Sequence, residues 1–194
     1  ILYSIGRWED GSGALGYHIQ KNGALEEFTR MICPDGGGCH ISVHPSGKFL
    51  LTAQYGGGSV ALFPLDGNGK LGEPTVIEHT GGSKVVDRRQ DSPHPHWTGF
   101  SPDGNYALIP DLGLDQIVIY KVDSSEPAIS PHGFGQSVPG GGPRHMRFST
   151  DGKFVYLLNE LSLSVTTFAW DDQNGQAKRL STTPAISEKV KAGE

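Results

Sequence analysis

Apolar and polar positions alternate along most of this chain in short runs, and clusters of Gly, Pro, Asp and Asn separate them. Three such clusters line up: Pro45-Ser46-Gly47-Lys48, Pro102-Asp103-Gly104-Asn105 and Thr150-Asp151-Gly152-Lys153. Each follows an alternating segment (40–44, 97–101 and 145–149) and precedes a more apolar one (49–54, 106–110 and 154–158), which predicts three antiparallel hairpins. A third strand recurs over 59–65, 116–122 and 164–170, and a weaker fourth over 75–79, 129–137 and 179–183. The three turn glycines stand 57 and then 48 residues apart. Four strands per unit at that spacing predict an all-β fold made of β-propeller blades, each a four-stranded antiparallel sheet.

Residues 1–38 read as the outer strands of one blade, with short strands over 1–5, 14–20 and 25–31. Blades then occupy 39–80, 95–139 and 140–187, with an inserted loop over 81–94 and a tail over 188–194. Gly11-Ser12-Gly13-Ala14-Leu15-Gly16 matches a dinucleotide fingerprint, but β-leaning residues follow it where a helix is required, so it is read as a loop. Propellers close with four to eight complete blades. The chain therefore reads as part of a longer ring, completed by a second segment or another chain.

Composition fits this picture. The 28 glycines and 13 prolines suit a turn-rich protein, and 36% hydrophobic residues exclude a disordered one. A net charge of −5 argues against general nucleic-acid binding, and no apolar run is long enough to span a membrane. The chain opens at Ile1 without a signal-like segment, so a targeting segment would lie outside it. The cytoplasm is the expected location. Cys33 and Cys39 lack metal-type spacing and read as unpaired thiols.

Chemistry enters through register. Counting back eight residues from each turn glycine reaches Cys39, His96 and Arg144, which a propeller arrays along one rim of its central channel. Counting forward eight from Gly152 reaches Glu160, where the antiparallel return strand comes back to the same edge. Arg144 and Glu160 are therefore predicted neighbours, with His96 one blade away. An arginine can stabilise an oxyanion, a histidine can act as general base and a carboxylate can orient either. Spacing leaves open whether Arg144–Glu160 is only an ion pair within one blade and His96 only a loop-bonded histidine.

Further candidates surround this trio. His94 and His96 flank Pro95, a pattern that does not predict a metal site, and none is expected. His40, Trp97 and His145 share the next column, where packing between blades is expected; His94 and His145 are also candidate substrate contacts. Asp111, Asn159 and Gln54 form a polar column, with Asp111 and Asn159 as candidate partners for substrate hydroxyls or simply polar strand ends facing a wet channel. The glycine runs 36–38, 56–58 and 140–142 read as tight turns near the channel rather than phosphate loops. Arg89, with Arg88 or Lys84, is the local positive cluster suited to a phosphate.

Arg89-Gln90, Pro93-His94-Pro95-His96, Phe100-Ser101-Pro102-Asp103-Gly104, Asp111-Leu112-Gly113, Gly142-Pro143-Arg144-His145, Phe148 and Asn159-Glu160-Leu161 together strongly resemble the seven-bladed propeller 6-phosphogluconolactonase family, which also includes fungal carboxymuconate lactonizing enzymes. The resemblance covers about residues 39–185. It implies that this chain holds about four of seven blades. It also implies hydrolysis of a phosphorylated sugar lactone, 6-phosphogluconolactone, in the pentose phosphate route of carbohydrate metabolism, without a cofactor. The family's channel site has a histidine, an arginine and a glutamate at positions matching His96, Arg144 and Glu160. It has a further arginine from a later blade, which finds no counterpart in these residues. A lactone-forming cycloisomerase and a non-catalytic binding propeller are the alternatives.

Overall fold

A computed structural model describes residues 1–187; the expected tail over 188–194 lies outside the described residues. The described chain is all-β and builds four antiparallel sheets. The first has three strands, β1 (Leu2–Trp8), β2 (Gly11–Ile19) and β3 (Leu25–Ile32). The second runs β4 (Gly38–Val43), β5 (Phe49–Gln54), β6 (Ser59–Pro64) and β7 (Thr75–Glu78). The third runs β8 (Gly99–Phe100), β9 (Tyr106–Asp111), β10 (Gln116–Asp123) and β11 (Ala128–Gln136). The fourth runs β12 (Pro143–Phe148), β13 (Phe154–Asn159), β14 (Ser164–Asp171) and β15 (Gln176–Pro184). In every sheet the strands pair in chain order, the meander of a propeller blade.

Alternation explains how the sheets stack. Along β5, Leu50 joins Ala14, Cys33, Ala61 and Phe63 in a cluster shared with the first sheet. Its neighbours Phe49 and Leu51 face the other way and join Ala107, Ile109 and Tyr120 of the third sheet. Tyr106 and Leu108 of β9 in turn meet Met146, Val155 and Leu157 of the fourth. β5 and β9 are buried at every position because both of their faces are covered. β13 alternates instead: Val155 and Leu157 are buried, while Phe154, Tyr156 and Leu158 present an exposed face.

Two strand expectations need correction. Gly11–Gly16 is not a loop but most of β2, the central strand of its sheet. A Cβ on Gly13 would fall onto the Met31 carbonyl, so glycine serves close strand approach here and not a phosphate turn. The segment 97–101 pairs only at Gly99–Phe100. The Thr98 N–H is drawn off to His40 Nδ1 of the neighbouring sheet at 3.2 Å, and the Trp97 ring packs into the core between sheets.

The interlocking clusters set a stability expectation. Leu108→Ala removes a fully buried side chain between two blades and is expected to cost about 2–5 kcal/mol. Leu180→Ala, on the exposed outer strand β15, is expected to cost less than about 0.5 kcal/mol. Urea denaturation of the two variants checks the contrast.

Candidate active site

The rim column arises from one backbone device repeated in three blades. Gly38 faces Gln54, yet His40 faces Ala53, so Cys39 is an extra residue in β4. Pro143 faces Asn159 and His145 faces Leu158, which makes Arg144 the extra residue in β12. In the third blade Pro95 faces Asp111 and Gly99 faces Leu108, the same one-residue slip spread over 96–98. A residue left out of the ladder in this way has its side chain re-aimed, and bulges recur where a sheet must present a functional group. Cys39, His96 and Arg144 therefore share one rim position because the same one-residue slip precedes each hairpin.

Glu160 sits directly after β13, held by its own N–H to the Gly142 carbonyl at 2.8 Å. Its carboxylate is the centre of the site. Arg144 donates from Nε to Oε2 at 3.0 Å, and Arg89 donates from Nη2 to Oε1 at 2.6 Å. His96 Nε2 lies 3.7 Å from Oε2, an electrostatic contact too long for a hydrogen bond. Using Nε for Glu160 leaves the two Nη groups of Arg144 for a ligand. The Arg144 and Arg89 side chains are 40% and 43% exposed, while His96 is 13% exposed, so the cations are wet and the imidazole is nearly enclosed.

The electrostatics follow from that arrangement. Partial burial alone pushes the Glu160 carboxyl up, but the hydrogen bonds from Arg89 and Arg144 outweigh it and hold the group below its usual value. Burial pushes His96 below the ordinary histidine value; Arg144 and Arg89 add to that, while its own backbone hydrogen bond and the Glu160 charge oppose it. At neutral pH the site therefore holds an ionised carboxylate, two guanidinium ions and a neutral imidazole.

The remaining candidates divide. Arg89 does reach the trio, whereas its expected companions do not: Arg88 is 90% exposed and pairs with Asp87, and Lys84 lies exposed on the same loop. His94 is packed at 4.6 Å against the Tyr55 ring, and its Nδ1 meets the Tyr55 carbonyl at 2.9 Å. His145 lies between two other imidazoles beside the trio, with centroids 5.6 Å from His96 and 5.8 Å from His40. His40 carries its proton only near a pKa of about 4, lowered by burial and by His145, Arg147 and His96. Among the described residues no group of three or more His, Cys, Asp or Glu is arranged to hold a metal ion.

Asp111 and Asn159, placed by sequence as substrate contacts or wet strand ends, are neither. Both are fully buried. Asp111 accepts from the backbone N–H groups of His94, Gly113 and Leu114 at 2.9, 2.9 and 3.1 Å and lies 2.7 Å from His79 Nδ1. Asn159 exchanges hydrogen bonds with Ser137, Ser164 and Thr166. As the last residues of β9 and β13, both are buried in the blade stack, where Asp111 ties loops together and Asn159 joins Ser137 to strand β14.

One residue at the site escaped the sequence reading. Tyr55 stands eight residues after Gly47, the position of Glu160 in its own blade, and its ring edge meets His96 at 5.2 Å between centroids. The forward count, applied to the first turn glycine as well as the last, reaches it.

This geometry defines a class: a β-propeller whose inner hairpins bring together a nearly enclosed imidazole and a carboxylate clamped by two arginines at one rim. A family model described as a seven-bladed β-propeller lactonase matches residues 1–194. The chain belongs to that lactonase family. It is 35% identical over 188 residues to the 6-phosphogluconolactonase of Bacillus subtilis, an alignment covering 96% of this chain and 53% of that protein. The crystal structure of a putative 6-phosphogluconolactonase from Bacteroides fragilis superposes with a TM-score of 0.86 at 31% identity, covering 95% of this chain and 54% of that one. The periplasmic gluconolactonase of Pseudomonas aeruginosa superposes at 0.85 with 33% identity, covering 94% and 52%. The chain thus spans about half the length of the relatives it matches.

The opposing charges around His96 make a directional prediction. Glu160→Gln removes the carboxylate that raises its pKa and should lower the midpoint, while Arg144→Ala removes a charge that lowers it and should raise the midpoint. An NMR titration of the His96 ring protons reads both shifts.

Proposed function

We propose that the ring-closed protein containing this chain hydrolyses a sugar lactone at the channel rim, with 6-phosphogluconolactone as the substrate. The observation that carries the reading is the Arg89–Glu160–Arg144 clamp beside a neutral, nearly enclosed His96. The ring is completed by further blades, from the same polypeptide or from another.

In this reading the free Nη groups of Arg144 donate to the lactone carbonyl oxygen and stabilise the oxyanion as it forms. His96 accepts a proton from water, whose oxygen forms the new bond to the carbonyl carbon. Collapse of the tetrahedral intermediate breaks the ring C–O bond, and the departing oxygen takes the proton back from His96, leaving a hydroxy acid. Glu160 holds both arginines in register. Its depressed pKa suits a fixed anion and not a proton relay. Arg89 binds the substrate phosphate through nitrogens not engaged by Glu160. A sugar phosphate substrate goes with a cytoplasmic location; among the described residues no helix is long and apolar enough to cross a membrane.

Arg144→Ala and His96→Ala are each expected to lower kcat on the lactone by roughly 10²–10³-fold, read by pH-stat or by coupled oxidation of the product. Retention of full rates by both variants removes the assignment. The acid limb of the rate profile should lie below the ordinary histidine value of about 6.5, because His96 must be neutral and its pKa is lowered. Arg89→Ala should raise KM for the phosphorylated lactone and leave KM for unphosphorylated gluconolactone nearly unchanged. Equal effects on the two would turn the assignment toward an unphosphorylated lactone.

A further inference from the structure

Two buried residues that belong to no strand pattern tie the site's loops together. Asp115 is 1% exposed and lies in the tight turn between β9 and β10, with φ of 57°. Its Oδ2 accepts the Gly140 N–H at 2.7 Å, and its Oδ1 accepts the Gly142 N–H at 2.9 Å. Oδ1 also accepts from Nε2 of Gln90 at 2.7 Å. Gln90 is itself fully buried, donates to the Leu112 carbonyl at 2.8 Å and receives the Val86 N–H at 3.0 Å. One carboxylate thus joins three segments that meet nowhere in sequence: the inserted loop, the β9–β10 turn and the glycine run before β12.

The consequence lies at the ends of those segments. Gln90 follows Arg89 directly, and Gly142 stands two residues before Arg144. The Gly142 carbonyl also holds the Glu160 N–H, and the Gly141 carbonyl holds Leu161 N–H at 3.0 Å. Arg89 sits on a loop, where nothing in strand register fixes its reach to a carboxylate 71 residues away. We propose that Asp115 and Gln90 are positioning residues for the lactonase site, a buried tie that sets the loop-borne Arg89 and the strand-borne Arg144 on opposite oxygens of Glu160. The proposal rests on the lactonase reading only for its effect on rate; the arginine geometry is independent of it.

The backbone at Asp115 selects the test. Asparagine tolerates the left-handed conformation about as well as aspartate, so Asp115→Asn keeps the turn and replaces an acceptor oxygen with a donor facing a glycine N–H. Gln90→Met keeps similar length and removes the other half of the tie. A fully buried, multiply bonded carboxylate is costly to alter, so Tm is recorded for both variants and whichever folds serves.

Two readouts are taken on the ring-closed protein. The first is kcat and KM on the lactone, where each variant is expected to lose roughly tenfold or more in kcat/KM, and the double variant to lose less than the product of the two. The second is the His96 midpoint by NMR. His96 faces Arg144, Arg89 and Glu160 across the rim, Tyr55 and Cys39 from the second blade, and His145 beside Arg144. Arginines that drift from Glu160 cease to oppose its field, so the midpoint should rise by on the order of half a unit or more. A buried residue of purely general structural value would lower Tm without moving that midpoint. An unmoved midpoint overturns the proposal, and so does a kcat/KM within about twofold of the unsubstituted protein while the midpoint moves. A protein without lactonase activity whose midpoint responds as expected sinks the functional reading alone.

Discussion

The slip of one residue at the start of each inner strand is the constraint from which the site follows. A strand that keeps perfect alternation sends its side chains either into one blade interface or into the other, and Leu50 against Phe49 and Leu51 shows how completely both are filled. A residue aimed along the strand toward the channel has no place in that pattern. The bulge creates one, and it does so at the same ladder position in three blades, so that Cys39, His96 and Arg144 leave the interfaces together. The tight packing that stabilises the ring and the polar rim that could do chemistry are thereby separated by a single residue of register.

This explains why some of the site was legible in the amino-acid pattern and some was not. Turn glycines fix the ends of hairpins, and a count from a fixed end along antiparallel strands is dependable, so His96, Arg144 and Glu160 come together as the count predicts. The same count misleads by one position: Asp111 and Asn159 lie one residue before the Glu160 place, still inside the ladder, and alternation turns them into the stack. Polar identity suggested the channel there, but buried loop amides gave Asp111, and buried hydroxyls gave Asn159, a nearer use. At Gly11–Gly16 composition suggested a loop where close strand contact needed small residues. Arg89 was marked by its charge, yet its contact with Glu160 depends on the path of an irregular loop. No periodicity encodes that path.

Loop paths of this kind are set by buried polar atoms. The inserted segment 81–94 has few apolar anchors, and its course over the fold is fixed where Gln90, fully buried, meets Leu112 and Asp115. A buried carboxylate is unfavourable unless its oxygens are satisfied, which makes the arrangement selective: only a loop that brings the right N–H groups to Asp115 is stable. Such a tie gives a loop-borne side chain some of the positional certainty that a strand confers on its own residues.

The charge balance at the rim then decides which roles fit which residues. Two guanidiniums share one carboxylate, so the trio with Arg89 carries a surplus positive charge, and the half-exposed arginines direct it into the channel. A base competing in that field must be a poor proton acceptor from solvent yet near a site of water attack. Glu160 meets the first requirement, since its pKa is depressed, but fails the second, since its oxygens are occupied by the arginines. His96 meets both, because burial and the same two cations keep it neutral without removing it from the rim. In the proposed reaction substrate need not displace Glu160 to reach Arg144, since the carboxylate takes Nε and leaves the terminal nitrogens unengaged by it. On that reading the clamp is a way of holding a cation still while keeping its terminal nitrogens free.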